Sequence, residues 1–321
     1  GGAGMVVTFV PILVVFFAAL GFLEDTGYMA RAAYVMDRFM HLMGLHGKSF
    51  LPLFLGFGCN VPAVMGARIV DTPKARLLTI LLAPLVPCTA RMAVLAVLAP
   101  IFFGAGATWV SWGLVALNLV VLVVLGVVIH KLVLGGEHVA FIMELPLYHA
   151  PNWRTIGISV WQRIVAFLRK AGTIILLASV VVWALAYFPR GDIQSSYLAG
   201  AGRWLEAVGR LMGLRWEMMV ALLTSFVAKE NTIATLGILF GVGEGGEGLA
   251  GALRGVLSPA AALAFLATQM LFIPCVATTA AIRQETNSWK WTLVSLGLLL
   301  AVSLGGGVVV YQVARLLGWG V

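Results

Sequence analysis

The sequence predicts an all-α fold, a polytopic transmembrane helical bundle with two inverted repeats and broken or re-entrant helices. Three observations carry this. Of the 321 residues, 61% are hydrophobic and only 11% charged, with a mean hydropathy of +1.01, whereas a soluble chain carries about 25% charged residues. Apolar runs of the ~20 residues that a spanning helix needs recur along the chain. One order of interrupted segments also occurs twice. The net charge of +8 is scattered between apolar runs rather than gathered in a stripe, so it reads as topology and argues against nucleic acid as a partner. The three cysteines, Cys59, Cys88 and Cys275, are too few for a disulfide framework and lie inside apolar stretches.

Taken in order, Met5 to Leu23, Trp109 to Leu134, Ala171 to Phe188, Pro259 to Ile282 and Trp291 to Leu317 are expected to span with little interruption. The run Leu77 to Phe103 carries Pro84, Pro87 and Arg91, the last expected at the centre of its span. Phe50 to Gly66 and Met218 to Phe240 are apolar but broken, at Gly58-Cys-Asn-Val-Pro62 and Ala228-Lys-Glu-Asn-Thr232. Basic residues flank the 50–66 segment on both sides, which predicts a re-entrant hairpin entering from the cytoplasm. The uncharged link 104–108 is assigned outside, the basic stretch 131–170 inside, and 190–217 and 241–258 outside. Trp109, Trp112, Trp183, Tyr187, Trp289 and Trp291 stand at span ends as interfacial anchors. Within 135–170, Trp161, Ile164, Val165 and Leu168 share one helical face while Arg163, Arg169 and Lys170 lie off it, the pattern of an amphipathic helix on the inner surface.

Val10 to Phe22 resembles Thr173 to Leu185, segment 50–66 resembles 218–240, and Pro87-Cys-Thr-Ala90 resembles Pro274-Cys-Val-Ala277. Each half therefore runs span, broken hairpin, Pro-Cys span, span. The expected division is a first repeat at 1–134, a cytoplasmic connector at 135–170 and a second repeat at 171–321. The assigned topology starts the two repeats from opposite sides. Inverted repeats with discontinuous helices are a secondary-transporter pattern, because half-helix ends offer unpaired N–H and C=O groups to a solute. The chain opens at Gly1 without a charged leader and reads as a piece of a larger protein.

Cys59 and Asn60 sit where Gly56, Gly58 and Pro62 interrupt helix. Cys88 and Cys275 each follow a proline at equivalent repeat positions. A membrane cysteine is often only a small apolar residue, and that reading stays open. Three at helix breaks make a transition-metal path the sharper expectation, since thiolates favour iron, copper and zinc over Mg²⁺ or Ca²⁺. Lys229 and Glu230 fall mid-segment, where a lone charge costs ~2.5–3.5 kcal/mol on insertion scales. They are expected to face each other, water or a substrate. Arg91 calls for an acidic partner, with Glu230, Glu24 and Asp25 as candidates, and a purely structural ion pair is the plainer alternative. His46-Gly-Lys-Ser49 is not a phosphate loop, because Leu42 stands where that loop needs Gly. His41, His46, His130, His138 and His149 have no metal spacing, and no catalytic motif is present. Met65, Met92 and Met270 read as bundle filler.

Leu23-Glu-Asp-Thr-Gly-Tyr-Met-Ala-Arg31, Gly56-Phe-Gly-Cys-Asn-Val-Pro62, Cys88-Thr-Ala-Arg91, Glu144-Leu-Pro-Leu-Tyr148, Ala228-Lys-Glu230 and Pro274-Cys-Val-Ala277 together resemble the membrane domain of the ferrous iron transport protein B (FeoB) family. The resemblance covers essentially the whole chain. It implies Fe²⁺ as transported substrate in a multi-pass prokaryotic plasma-membrane importer; the helix breaks and repeat positions themselves make Cys59, Cys88 and Cys275, with Glu230 and Asn60 as oxygen donors, the candidate metal contacts, expected to converge near the bilayer midplane. Glu24, Asp25, Arg91 and Lys229 are the candidate gating or ion-pair residues. It further implies a cytoplasmic G domain, absent from this chain, through which GTP and Mg²⁺ would enter and through which the parent protein would be a GTPase-linked transporter. Membrane lipid, a small cytoplasmic accessory protein and a second copy of the chain are the partners it suggests. Met92-Ala93 and Asn231-Thr232 depart from the family pattern, the latter adding polar groups to the expected pathway. The runner-up is a gate-fold carrier for an organic solute such as a nucleoside. A non-transporting scaffold gains nothing from buried Lys229, Glu230 and Arg91.

Overall fold

The computed structural model describes residues 2–45, 47–133, 148, 150–169, 173–188, 196–241 and 247–318. Every regular element among them is helical. The α-helices are α1 (Gly2–Asp25), α2 (Tyr28–Leu42), α3 (Phe50–Gly56), α4 (Asn60–Gly66), α5 (Pro73–Leu82), α6 (Thr89–Phe103), α7 (Ala107–Val133) and α8 (Trp153–Phe167). They continue with α9 (Thr173–Tyr187), α10 (Tyr197–Gly209), α11 (Trp216–Thr224), α12 (Asn231–Leu239), α13 (Glu247–Val256), α14 (Pro259–Leu271), α15 (Val276–Thr286) and α16 (Trp289–Leu316). At 1.5 Å per residue, the 27 residues of α7 and 28 of α16 reach ~40 Å, enough to cross a hydrocarbon core of ~30 Å. Among the described residues, Pro73–Lys131, Pro259–Thr286 and Trp289–Leu316 are the helical stretches long and apolar enough to do so. The chain is an all-α membrane protein. His46, His149 and residues 134–147, His138 among them, lie outside the described residues.

Two compact units form. The first comprises Gly1–Cys88, Leu119–Leu176 and Ala277–Thr292. Its core gathers Leu45, Leu78, Leu82, Leu85 and Val86, all buried. In it α3 and α4 pack on each other, and α8 packs along α1. Ile156 and Ile164 of α8 are buried, with Ile156 against Gly21, whereas Trp161 and Leu168 are exposed. Of the expected apolar face, Ile164 is buried, Val165 half-buried, and Trp161 and Leu168 face outward. Arg163, placed off that face, reaches Glu24 in the last turn of α1 at 2.9 Å, as α8 packs along α1.

The second unit comprises Thr89–Asn118, Leu177–Val276 and Leu293–Val321. Its core is one cluster that includes Leu98, Met212, Met218, Leu222, Leu236, Phe265 and Phe272. Here α10 packs on α11, α11 on α12, and α14 on α6. Gly307 of α16 lies so close to Thr268 and Met212 that a side chain there would overlap both.

Two of the runs are each more than one helix. The run Pro259 to Ile282 lies within a stretch long and apolar enough to span, but α14 stops at Leu271 and α15 starts at Val276, because Pro274 has no N–H and blocks the helix. Arg91 falls beside a division of the same kind. The run 77–103 divides into α5, a short 3₁₀ turn at Ala83–Leu85, an extended Val86 and α6, so Arg91 is the third residue of a new helix.

Candidate functional site

In the first unit, α3 ends at Gly56, and Leu55 O accepts from both Gly58 N and Cys59 N at 3.1 Å. Cys59 is extended (φ −152°, ψ 131°) and opens α4. Pro62, in the first turn, costs no helical hydrogen bond. Two glycines are demanded by close approach. A Cβ on Gly58 would overlap the Phe16 ring, and one on Gly56 would stand 2.8 Å from Val86. That second contact presses the Cys59 break against the Val86–Cys88 break. Asn60, 4% exposed, joins them: with its amide nitrogen turned inward it donates to Gly56 O at 3.1 Å and Val86 O at 3.3 Å. The reverse orientation gives the nitrogen Pro84 O alone, at 3.4 Å, and faces the amide oxygen against carbonyls, so hydrogen bonding selects the first. Cys59 and Cys88 are both half-buried.

The second unit repeats this arrangement with charge added. The chain breaks between α11 and α12 at 225–230 and again between α14 and α15 at 272–275. Phe226 O accepts from Val276 N at 2.7 Å, and Lys229 Nζ donates to Ile273 O at 2.6 Å, lacing the two breaks together. Ile273 precedes Pro274-Cys275 as Val86 precedes Pro87-Cys88. In each unit, then, a residue of the hairpin break holds the carbonyl that precedes the Pro-Cys pair. Arg91 Nη2 takes the neighbouring Phe272 O at 2.5 Å. Asn118 Nδ2 takes Met270 O at 3.0 Å, the acceptor that a residue-274 N–H would occupy in an unbroken helix. Positive groups suit this place because the C-terminal end of α14 carries partial negative charge. Lys229 also stands 4.9 Å from the Phe272 ring centroid. A third tie runs from Gln269 Nε2 to Thr232 Oγ1 and on to Lys229 O, each step 2.8 Å. Half-buried Glu230 precedes α12, with Lys229 as its chain neighbour.

Of the residues singled out from sequence, Glu24, Asp25, Cys59, Asn60 and Cys88 belong to the first unit, and Arg91, Lys229, Glu230 and Cys275 to the second. Glu24 pairs with Arg163, and Asp25 accepts from Asn152 N at 2.7 Å. Among the described residues no three or more His, Cys, Asp or Glu side chains are gathered so that they could hold a metal ion. Asn118 and Gln269 were not anticipated, although a signal existed. Asn118 is an isolated amide within an apolar helix, and buried polar groups require partners.

Breaks of this kind, built twice from a folded-back hairpin and a Pro-Cys interruption, define a gate-type integral membrane protein. The family model described as Gate, nucleoside recognition, matches residues 6–110 and 168–289, and that described as ferrous iron transport protein B C terminus matches 111–163. The chain belongs to the ferrous iron transport protein B family. It is 40% identical over 320 residues to the Fe(2+) transporter FeoB of Staphylococcus aureus (strain COL), covering 98% of this chain and 48% of that protein. The Methanocaldococcus jannaschii Fe(2+) transporter FeoB is 37% identical over 98% of this chain and 49% of its own length. A Porphyromonas gingivalis Fe(2+) transport protein A/Fe(2+) transporter FeoB fusion protein is 36% identical over 92% of this chain and 41% of its own. The chain thus spans about half the length of the curated relatives it matches. No solved structure matches.

Proposed function

We propose that this chain is the membrane part of an Fe²⁺ importer in which the ion passes the two laced breaks, contacting Cys59, Cys88 and Cys275 through sulfur and Glu230 and Asn60 through oxygen. The observation that carries this is the repeated lacing, Asn60 to Val86 O and Lys229 to Ile273 O. It presents a cysteine two residues beyond each held carbonyl, and soft sulfur suits Fe²⁺. The relatives that are Fe(2+) transporters of the FeoB type agree. The two repeats, 1–134 and 171–321, are related by inversion in the membrane and joined by the inner-surface connector 135–170. Arg91 and Lys229 act as gating cations, and Glu24 and Asp25 anchor α8 to α1. Energy comes from a GTP- and Mg²⁺-binding domain in the part of the protein beyond this chain. The fusion relative supports an accessory protein of the transport protein A type as partner.

The competing reading, a nucleoside carrier, draws on the match to the Gate, nucleoside recognition, family model. Uptake by the full-length protein in lipid vesicles separates the two. Radioactive Fe²⁺ kept reduced is expected to accumulate while labelled nucleoside does not. Nucleoside accumulation without Fe²⁺ accumulation would overturn the proposal.

A further inference from the structure

Lys229 is 3% exposed, in a segment where an ionised amine is expensive. A hydrogen-bond donor alone does not require that expense. In the first unit the matching carbonyl, Val86 O, is held by the neutral amide of Asn60. In the second, Ile273 O is held by an ammonium at 2.6 Å, which also lies 4.9 Å from the Phe272 ring centroid. A backbone carbonyl and an aromatic face that meet the same buried ammonium supply two of the electronegative contacts by which a small monovalent cation exchanges part of its hydration shell for protein. The C-terminal end of α14 adds partial negative charge. Lysine, a compact point charge on a flexible stem, suits such a place better than a planar guanidinium. Arg91 meanwhile takes the adjoining Phe272 O.

The geometry points to a monovalent-cation site in the second unit's break, of ammonium or potassium size, that the chain fills with its own Lys229. The lysine is a tethered cation. Shortening its stem vacates a site that a free cation of that class then occupies, and the cation binds the folded state only, so it raises stability by mass action. This goes beyond Fe²⁺ passage and stands or falls separately from it.

The test is thermal unfolding of the full-length Lys229→Ala protein in detergent at constant ionic strength, with choline chloride replaced stepwise by potassium, ammonium, methylammonium or propylammonium chloride. The variant is expected to melt below wild type in choline and to gain melting temperature, to a plateau, with at least one of the smaller cations. Wild type is expected to respond to none of them. A Lys229→Ala protein that responds no more than wild type overturns the inference. If that variant does not accumulate in folded form, Lys229→Arg and Lys229→Gln decide. Arg melting above Gln supports a required charge, and Gln melting at or above Arg overturns it.

Discussion

Replacing Asn118 isolates the physics of the Pro-Cys break. Pro274 cannot donate a backbone hydrogen bond, so Met270 O loses the partner it would have in a continuous helix. Met270 is 2% exposed and Asn118 fully buried, leaving no water to compensate, and the Asn118 amide at 3.0 Å is what satisfies this carbonyl. Asn118→Leu keeps the number and branching of the side-chain heavy atoms and removes the donor. A buried acceptor left unsatisfied costs about 1–3 kcal/mol. Asn118 Oδ1 is itself buried without a hydrogen-bond partner, and deleting it returns part of that cost, so the net loss is expected at about 1–2 kcal/mol. Pro274→Ala in the same molecule restores an N–H at the break and should reduce the effect of Asn118→Leu by at least ~0.5 kcal/mol, the coupling expected of residues that share a partner. The assay is reversible unfolding in detergent for the four members of the cycle. An Asn118→Leu protein as stable as wild type, or strict additivity with Pro274→Ala, would refute the reasoning.

Other outcomes follow from the same contacts. Gly58→Ala drives a methyl into the Phe16 ring and should cost about 1–3 kcal/mol, part of which Phe16→Leu restores; unfolding of the two single variants and the pair checks this. Glu24→Gln breaks the ion pair with Arg163, whose partners are both substantially exposed, so stability should change by less than ~1 kcal/mol while protease access to the α8 connector rises. Cd²⁺, a soft spectroscopic stand-in for Fe²⁺, should bind more weakly as pH falls, because thiolate ligation releases protons. Sulfur-to-metal absorbance titrated at several pH values measures it, and a pH-independent affinity would speak against thiolate contacts.

Where the helices must stop was legible residue by residue. Gly56, Gly58 and Pro62 foretell the break before α4, and Pro87 and Pro274 foretell the two Pro-Cys interruptions, since a missing N–H and a missing Cβ act locally. What fills the freed carbonyls was not legible. Asn118 lies 152 residues from Met270, and Arg91 lies 181 from Phe272. No periodicity reports a pairing across such separations. Arg91 looked like a charge seeking a carboxylate because a guanidinium in an apolar run suggests an ion pair. A row of helix-end carbonyls is an equally good partner for a cation, and Phe272 O is one that it meets. For α8, periodicity gave an amphipathic helix but not which arc of it meets α1. That choice depends on Gly21, whose lack of a side chain admits Ile156.

The cysteine path is tested most directly by Fe²⁺ uptake into vesicles containing the full-length protein with Cys59, Cys88 and Cys275 all changed to Ala. Wild-type and variant insertion are matched by an unfolding transition at the same temperature. If the three sulfurs form the path through the laced breaks, uptake falls to the level of protein-free vesicles while the transition is retained. Wild-type uptake by the folded triple variant would contradict it.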